Sequence, residues 1–166
     1  MKELIDLVDS TGRIIKTGVE RGDNMKLGSL HVQVAIAVVL NNSGEVIVHK
    51  RSNYKKVNPG YIDHVCGAIV SGESPETTAF REAKEEIGIE LENLRLIRQG
   101  LNEYNTYSYL FVGQSNKLPK IETPNEVQWV GILSKEELLS LKSSKKENFV
   151  DGFFEDLELA IATKMS

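Results

Sequence analysis

The stretch from Gly67 to Ile89, GAIVSGESPETTAFREAKEEIGI, constrains this chain more than any other. If it is helical, Glu82, Glu85 and Glu86 stand at i, i+3 and i+4, so three carboxylates share one face within a single turn. Like charges at that spacing repel. A helix surface gains nothing from such a cluster unless cations bind there, and oxygen ligands at close quarters suit a hard divalent ion such as Mg²⁺.

The helix is well signalled at both ends. Ser74 has the side chain of an N-cap, and Pro75 fits the first helical position, where a missing N–H costs nothing. Ala79, Phe80, Ala83 and Ile87 supply an apolar stripe and Gly88 a C-terminal stop, so the glutamates are expected to face away from the core. Gly67-Ala68-Ile69-Val70 reads as the end of a buried strand and Ser71-Gly72-Glu73 as a loop. The unit is strand, loop, helix.

With U for an aliphatic residue, the pattern G-x(5)-E-x(7)-R-E-U-x-E-E-x-G-U is the signature of the Nudix hydrolases, and this chain resembles that family. Gly67, Glu73, Arg81, Glu82, Ala83, Glu85, Glu86, Gly88 and Ile89 fill every specified place. At ordinary residue usage a chance match falls far below about one in a million.

Composition sets the frame around this unit. The 166 residues are 40% hydrophobic and 27% charged, ordinary for one globular domain, so residues 1–166 are expected to form a single domain with 1–29 as an N-terminal hairpin and loop extension. A net charge of −4 argues against a nucleic-acid polymer as partner, since phosphate-backbone binding needs an excess of Lys and Arg. No apolar run is long enough to span a membrane, and Met1-Lys2-Glu3 begins no signal peptide. One cysteine excludes an internal disulfide framework and points to a reducing cytoplasm. Oligomeric state is open, a homodimer included.

Along the chain, Leu4 to Val8 and Arg13 to Thr17 flank the turn Asp9-Ser10-Thr11-Gly12, predicting a hairpin. Gly18 to Ser29 reads as a polar loop. Leu30 to Leu40 and Glu45 to Lys50, joined by Asn41-Asn42-Ser43-Gly44, read as central strands. Arg51 to Gly60 is a basic loop. Beyond the helix, strands are expected at Leu94 to Gln99, Thr106 to Gly113 and Val127 to Ile132. A helix capped by Ser134 and Glu137 runs through Leu141, Lys142 to Lys146 is a loop, and a last helix capped by Asp151 runs to Ala162. Interleaved strands and helices give an α/β fold with a mixed sheet. The resemblance implies the same: an α/β/α sandwich of the Nudix type.

The resemblance also implies a chemistry. A polyanionic diphosphate cannot approach several carboxylates unless divalent cations intervene. By matching positions, Glu82, Glu85, Glu86 and the Gly67 carbonyl become metal ligands for Mg²⁺, with Mn²⁺ as an alternative, and the activity becomes hydrolysis of a nucleoside diphosphate derivative or related small-molecule diphosphate. Arg81 is expected to orient Glu73 and Glu85 through charge-assisted hydrogen bonds. Two residues compete as general base, Glu82 and the loop acid Glu126, with Glu103 and Glu122 as weaker rivals.

A finer resemblance covers Leu30-His31, His49-Lys50-Arg51 through Lys55-Lys56 to Asn58-Pro59-Gly60, and Asp63-His64-Val65-Cys66-Gly67. These are similar to the Nudix subgroup that includes isopentenyl-diphosphate isomerase and its hydrolase relatives. In that subgroup Arg51 and Lys55 occupy phosphate-binding positions, Cys66 the catalytic cysteine's place and His31 a metal-binding histidine's. Ala68 and Thr106 stand where the isomerase has a histidine and a glutamate, and the box here is complete, so hydrolysis is preferred. Bland readings stand beside these: Cys66 as a small hydrophobe, His31 as a satisfied histidine at the core's edge, Lys56 as surface, Trp129 as core. The isomerase and a catalytically silent nucleotide-binding sensor remain the alternatives.

Overall fold

The computed structural model of the chain describes residues 2–23 and 25–165. Met1, Asn24 and Ser166, which belong to the expected domain and, for Asn24, to the expected 18–29 loop, lie outside the described residues. The chain is a mixed α/β structure around a nine-stranded sheet. In order come β1 (Leu4–Val8), β2 (Ile14–Glu20), β3 (His31–Leu40), β4 (Val46–Arg51), β5 (Ile62–Asp63), β6 (Val65–Ala68), α1 (Pro75–Ile87), β7 (Glu92–Leu101), β8 (Tyr107–Gln114), β9 (Val127–Leu133), α2 (Lys135–Ser143) and α3 (Phe153–Met165).

β3 is the organising strand. On one edge β8 runs parallel to it, from Gln33 opposite Tyr107 to Leu40 opposite Gln114. The other edge is shared by β6, antiparallel at Val34–Ala37, and then β4 at Val39–Leu40, while β1 joins at His31 and Val32. The expected pairing of β3 with β4 is thus confined to the hairpin end. β9 adds to β4, which places the stretch around Glu126 beside Arg51.

Because side chains alternate along a strand, β3 feeds two cores. Ala35, Ala37 and Val39 pack with Ile47, Phe111 and the α1 residues Ala79, Ala83 and Ile87. Val38 and Leu40 pack with Val46, Val48, Leu110, Leu138 of α2 and Phe153, Leu157 and Ala160 of α3. Helices therefore cover both faces of the sheet. Each buried aliphatic side chain contributes about 1.5–3 kcal/mol relative to exposure.

Local chemistry fixes α1 where the sequence places it. The Ser74 hydroxyl accepts the Thr77 N–H at 3.1 Å, Pro75 opens the first turn, and Gly88 takes φ 65°, a left-handed conformation that closes the last turn. Two details differ from expectation. Phe80 is 44% exposed and Thr78 is buried in its stead, because the contact stripe runs through Thr78, Ala79, Ala83, Glu86 and Ile87. Glu86 is itself 4% exposed, so one glutamate of the cluster is buried rather than facing water.

Elsewhere, Ser134 and Glu137 form the expected capping box of α2, which runs on through Ser143 into the expected loop. Asp151 does not cap α3; its carboxylate accepts the Tyr104 hydroxyl. Trp129 is not core. It is 39% exposed and lies over Gly131, where a Cβ would strike the indole. No described helix is long and apolar enough to cross a membrane.

Candidate active site

A cleft of about 260 Å³ opens between β6, α1 and two loops, and its lining includes Gly67, Glu82, Glu85, Glu86, Arg51 and Lys55. Three placements create it. β6 ends at the floor, where Gly67 lies so close to the Glu82 side chain that any Cβ would overlap the carboxyl group. The β4–β5 loop brings in Lys55, beyond Arg51 at the end of β4. The β8–β9 loop wraps the C-terminal end of α1: Lys120 and Glu122 donate their backbone N–H groups to the carbonyls of Ile87 (3.0 Å) and Glu86 (3.4 Å), and the Thr123 hydroxyl donates to that of Glu85 (3.2 Å). Helix-end carbonyls lack intrahelical partners, so they draw in this loop and with it Glu126.

Arg81 is the hub of the acidic cluster. Its guanidinium donates to Glu73 at 3.0 Å, Glu82 at 2.7 Å and Glu85 at 3.0 Å. The expectation named Glu73 and Glu85; the geometry adds Glu82. Glu73 does not itself line the cleft. Burial works against its ionisation, but hydrogen bonds from Arg81 and Thr78 prevail and hold its carboxyl below the ordinary range.

Glu82 and Glu86 are pushed the other way. Burial raises the Glu82 pKa, partly offset by Arg81. Burial, then the neighbouring charges of Glu82, Asp63 and Glu126, raise Glu86 well above a normal glutamate, and its Oε2 is buried with no hydrogen-bond partner. An orphaned carboxylate oxygen at the base of an acidic cleft is costly unless a cation meets it. Among the described residues no three His, Cys, Asp or Glu side chains already enclose an ion, because Glu82 and Glu85 are turned to Arg81. The donor set still fits a hard divalent cation, being all oxygen, with one member left unpaired and the Gly67 backbone alongside.

On the basic side, Arg51 is gripped by the buried Asp63 at 3.0 Å, and its Nε donates to the Val57 carbonyl at 3.2 Å. Burial lifts the Asp63 pKa to about 6 despite Arg51. Lys55 meets Glu126 at 3.2 Å, and Ser52 N–H donates to the Glu126 carbonyl at 2.7 Å, so the two loops close on each other across the cleft. Glu126 lines the cleft. Glu122 and Glu103 do not; Glu122 pairs with Lys120 at 2.6 Å, and Glu103 lines a separate cavity beside α3.

Cys66 reaches the cleft, yet burial and the charges of Asp63 and Glu86 push its thiol pKa far up. His31 stays outside the lining, its Nδ1 3.0 Å from the Asn105 carbonyl. Thr106, at the isomerase acid's position, gives its hydroxyl to Asn102 at 2.8 Å. Lys56 lies on the surface, bridged to Asp23 at 2.5 Å. Sequence reasoning missed Asp63 as the partner of Arg51, although an acid in an apolar strand is a usable signal. It also missed Glu3 and Arg21, which line the cleft from the N-terminal hairpin without any local motif.

The family profile described as NUDIX domain matches residues 30–156, and the chain belongs to the Nudix family. It is a hydrolase of that family by its relatives. An uncharacterised Nudix hydrolase of Listeria innocua is 30% identical over 90% of this chain and 89% of its own length. An isopentenyl-diphosphate Delta-isomerase of Corynebacterium diphtheriae is 32% identical over 55% of this chain and 50% of that protein. The crystal structure of DR0079 from Deinococcus radiodurans superposes with a TM-score of 0.76 at 23% identity, over 94% of this chain and 98% of that one, which shows the shared fold.

Proposed function

We propose that the chain is a Mg²⁺-dependent pyrophosphohydrolase, with Mn²⁺ as a substitute, acting on a nucleoside diphosphate derivative or related organic diphosphate as one domain in the cytoplasm. The observation that carries this reading is the buried, unpartnered Glu86 Oε2 in a cleft shared with Glu82, Glu85, Arg51 and Lys55. Glu82, Glu85, Glu86 and the Gly67 carbonyl are the groups that would hold the cation. When bound, it supplies Lewis-acid polarisation and makes water acidic enough to attack at neutral pH.

The chain's own groups do the rest. Arg51, fixed by Asp63, and Lys55 hold phosphate oxygens, and Arg81 keeps Glu82 and Glu85 together beside the cleft until a cation competes for their carboxylates. As water forms its bond to phosphorus, its proton passes to Glu126, and the bond from phosphorus to the bridging oxygen breaks. Glu82 is the alternative base, but it is committed to Arg81 at 2.7 Å. A panel of nucleotide sugars, dinucleotides, nucleoside triphosphates and prenyl diphosphates, assayed with Mg²⁺ and Mn²⁺, tests the class: turnover of some organic diphosphate supports it, and none on any member leaves the silent sensor.

The isomerase alternative draws support from the Corynebacterium relative and from Cys66 in the cleft. Against it stand Ala68 and the tethered Thr106, which leave no acid pair to protonate a double bond. Cys66→Ala is therefore expected to keep most of the turnover. Near-complete loss with folding intact would overturn the hydrolytic preference.

A further inference from the structure

Trp129 is the chain's one tryptophan, and it stands in a strand whose other apolar side chains, Val127, Val130, Ile132 and Leu133, pack into the two cores. Its own side chain stays partly in solvent. The register shows where it goes: Trp129 lies opposite Lys50, Gly131 opposite Val48 and Leu133 opposite Val46. Val46, Val48 and Leu133 belong to the core that α2 and α3 cover, so by strand alternation Lys50 and Trp129 continue that face. Arg51 and Glu126 instead line the acidic cleft, on the face that packs against α1. The β4–β9 pair separates the two. Beyond the end of the α2 covering, a second cleft of about 450 Å³ opens beside Trp129, with Ile62 and Leu141 in its apolar lining. That size, mostly apolar with a few polar groups, is within the range of roughly 300–1,000 Å³ usual for small-molecule sites.

The indole is seated, not merely left out. A Cβ on Gly131 would stand 2.2 Å from the ring's Cη2, so the absence of a side chain there lets the ring lie across the strand and turn its other face outward. Polar groups stand in the same cleft. The Lys50 ammonium meets the Glu147 carboxylate at 2.6 Å, with both side chains about three-quarters buried. This pair sums to zero charge, so it offers no excess cation to a phosphate and no excess anion to an amine. What it offers is a donor beside an acceptor, since the ammonium has three protons and the carboxylate several lone pairs. Gln128 adds to this: its amide nitrogen donates to the Arg51 carbonyl at 2.8 Å, which leaves its oxygen as a further acceptor. Every nucleobase has a face that stacks on an aromatic ring, and an edge that pairs with adjoining donors and acceptors. We propose that this cleft is a second ligand site, which holds a neutral heteroaromatic ring with adjoining donor and acceptor, the chemistry of a nucleobase, stacked on Trp129. The site draws on none of the acidic cleft's groups, so this assignment and diphosphate hydrolysis can each fail without the other.

Because the sequence holds a single tryptophan, its fluorescence reports on this site alone. Titration of the full chain with the phosphate-free nucleosides adenosine, guanosine, cytidine and uridine is expected to quench that emission saturably for at least one of them. Calorimetry with the same nucleoside should show affinity falling by at least about fivefold in Trp129→Ala, the lower range for a lost stacking platform, and largely restored in Trp129→Phe. Glu147→Gln keeps the shape and exchanges an acceptor for a donor, so it should change the order of preference among the four, which a purely structural ion pair would not do. Quenching that rises linearly with all four overturns the proposal, because an indole that is merely exposed behaves that way. Equal affinity in wild type and Trp129→Ala overturns it too, as does an unaltered order of preference in Glu147→Gln. Emission that shifts with protein concentration in the absence of nucleoside also overturns it, since that marks an interface between copies of the chain. Kinetics on the best diphosphate of the panel assign the source of the base, and either result supports the site. If the nucleoside competes and Trp129→Ala raises KM, the base is the substrate's own; if KM is unmoved by both, a separate nucleoside is the ligand.

Discussion

Single atoms decide the cleft's behaviour at two positions. Gly67 has ordinary backbone geometry, so a methyl group there is tolerated by the main chain but not by the Glu82 carboxyl above it. The obstacle is a side chain and not backbone, but it reaches back to the Glu82 Cγ at 2.4 Å, so Glu82 must move as a whole and leave Arg81. Gly67→Ala is therefore expected to leave the melting temperature within about 2–4 °C of wild type, while displacing Glu82 by an ångström or so and lowering turnover by roughly a hundredfold. Normal turnover in that variant would mean that Glu82 needs no fixed position. Glu86→Gln asks the complementary question. Replacing this buried carboxylate with a neutral isostere removes its repulsion with Glu82, Asp63 and Glu126, so the metal-free protein gains about 0.2–0.5 kcal/mol of stability. Turnover falls by at least about a hundredfold, since a ligand charge is lost. Thermal melts in EDTA and product release from the best diphosphate measure the two halves, and the assignment of Glu86 as a ligand fails if turnover is normal.

Elements on the far face of the sheet are held by a different kind of buried group. His64, beside β6, stacks on Phe153 of α3 with ring centroids 4.0 Å apart and planes 6° from parallel, and its Nε2–H donates to the Phe153 carbonyl at 3.0 Å. Burial lowers its pKa from 6.5 to about 4. The sign follows directly: as pH falls below 6.5 the unfolded chain takes up a proton that the folded chain refuses, and stability is lost until pH passes about 4. Between pH 7 and pH 5 this amounts to about 2 kcal/mol. The stability difference between wild type and His64→Gln, from urea unfolding, should shift by that amount in the variant's favour. The comparison cancels the other titrating groups, and a constant difference would show that His64 is not buried neutral. No sequence signal announced this contact, since it joins residues 64 and 153 through tertiary packing. The same division runs through the whole fold. α1 was legible because Ser74, Pro75 and Gly88 act on their own neighbours, and β3 was legible as a strand because its β-branched residues and the Asn41–Gly44 turn after it act locally too. The parallel pairing of β3 with β8 was not, being set by packing across 74 residues of sequence. Phe80, Trp129 and Asp151 were misjudged because residue type alone does not say which face of an element meets its partner. Among the site residues, the box glutamates could be read from spacing, whereas Asp63, Glu3 and Arg21 are brought in by strand pairing and hairpin docking.

At the scale of the molecule, charge is unevenly spent. The chain carries a net −4, yet Glu82, Glu85, Glu86 and Glu126 all line one small cleft, with Asp63 beneath them. Arg81, Arg51 and Lys55 offset part of this charge, while burial first and the remaining like charges second raise the pKa values of Glu82 and Glu86. Such an arrangement makes the folded state a better cation binder than the unfolded chain, in which the same acids are dispersed in water. Anything that binds the folded state alone stabilises it by mass action, about 2.7 kcal/mol at a hundredfold excess over Kd. For a chain of 166 residues this raises the melting temperature by about 5–10 °C. Mg²⁺ or Mn²⁺ at saturating concentration should produce that shift, and NaCl at equal ionic strength should not, because screening acts on exposed charges much more than on the buried Glu86. Glu86→Gln should melt higher than wild type in EDTA yet gain far less from the divalent ion. Scanning calorimetry of both proteins in the three solutions decides it: if NaCl reproduces the Mg²⁺ shift, the cleft is an acidic surface responding to ionic strength, and the cation site is elsewhere or absent.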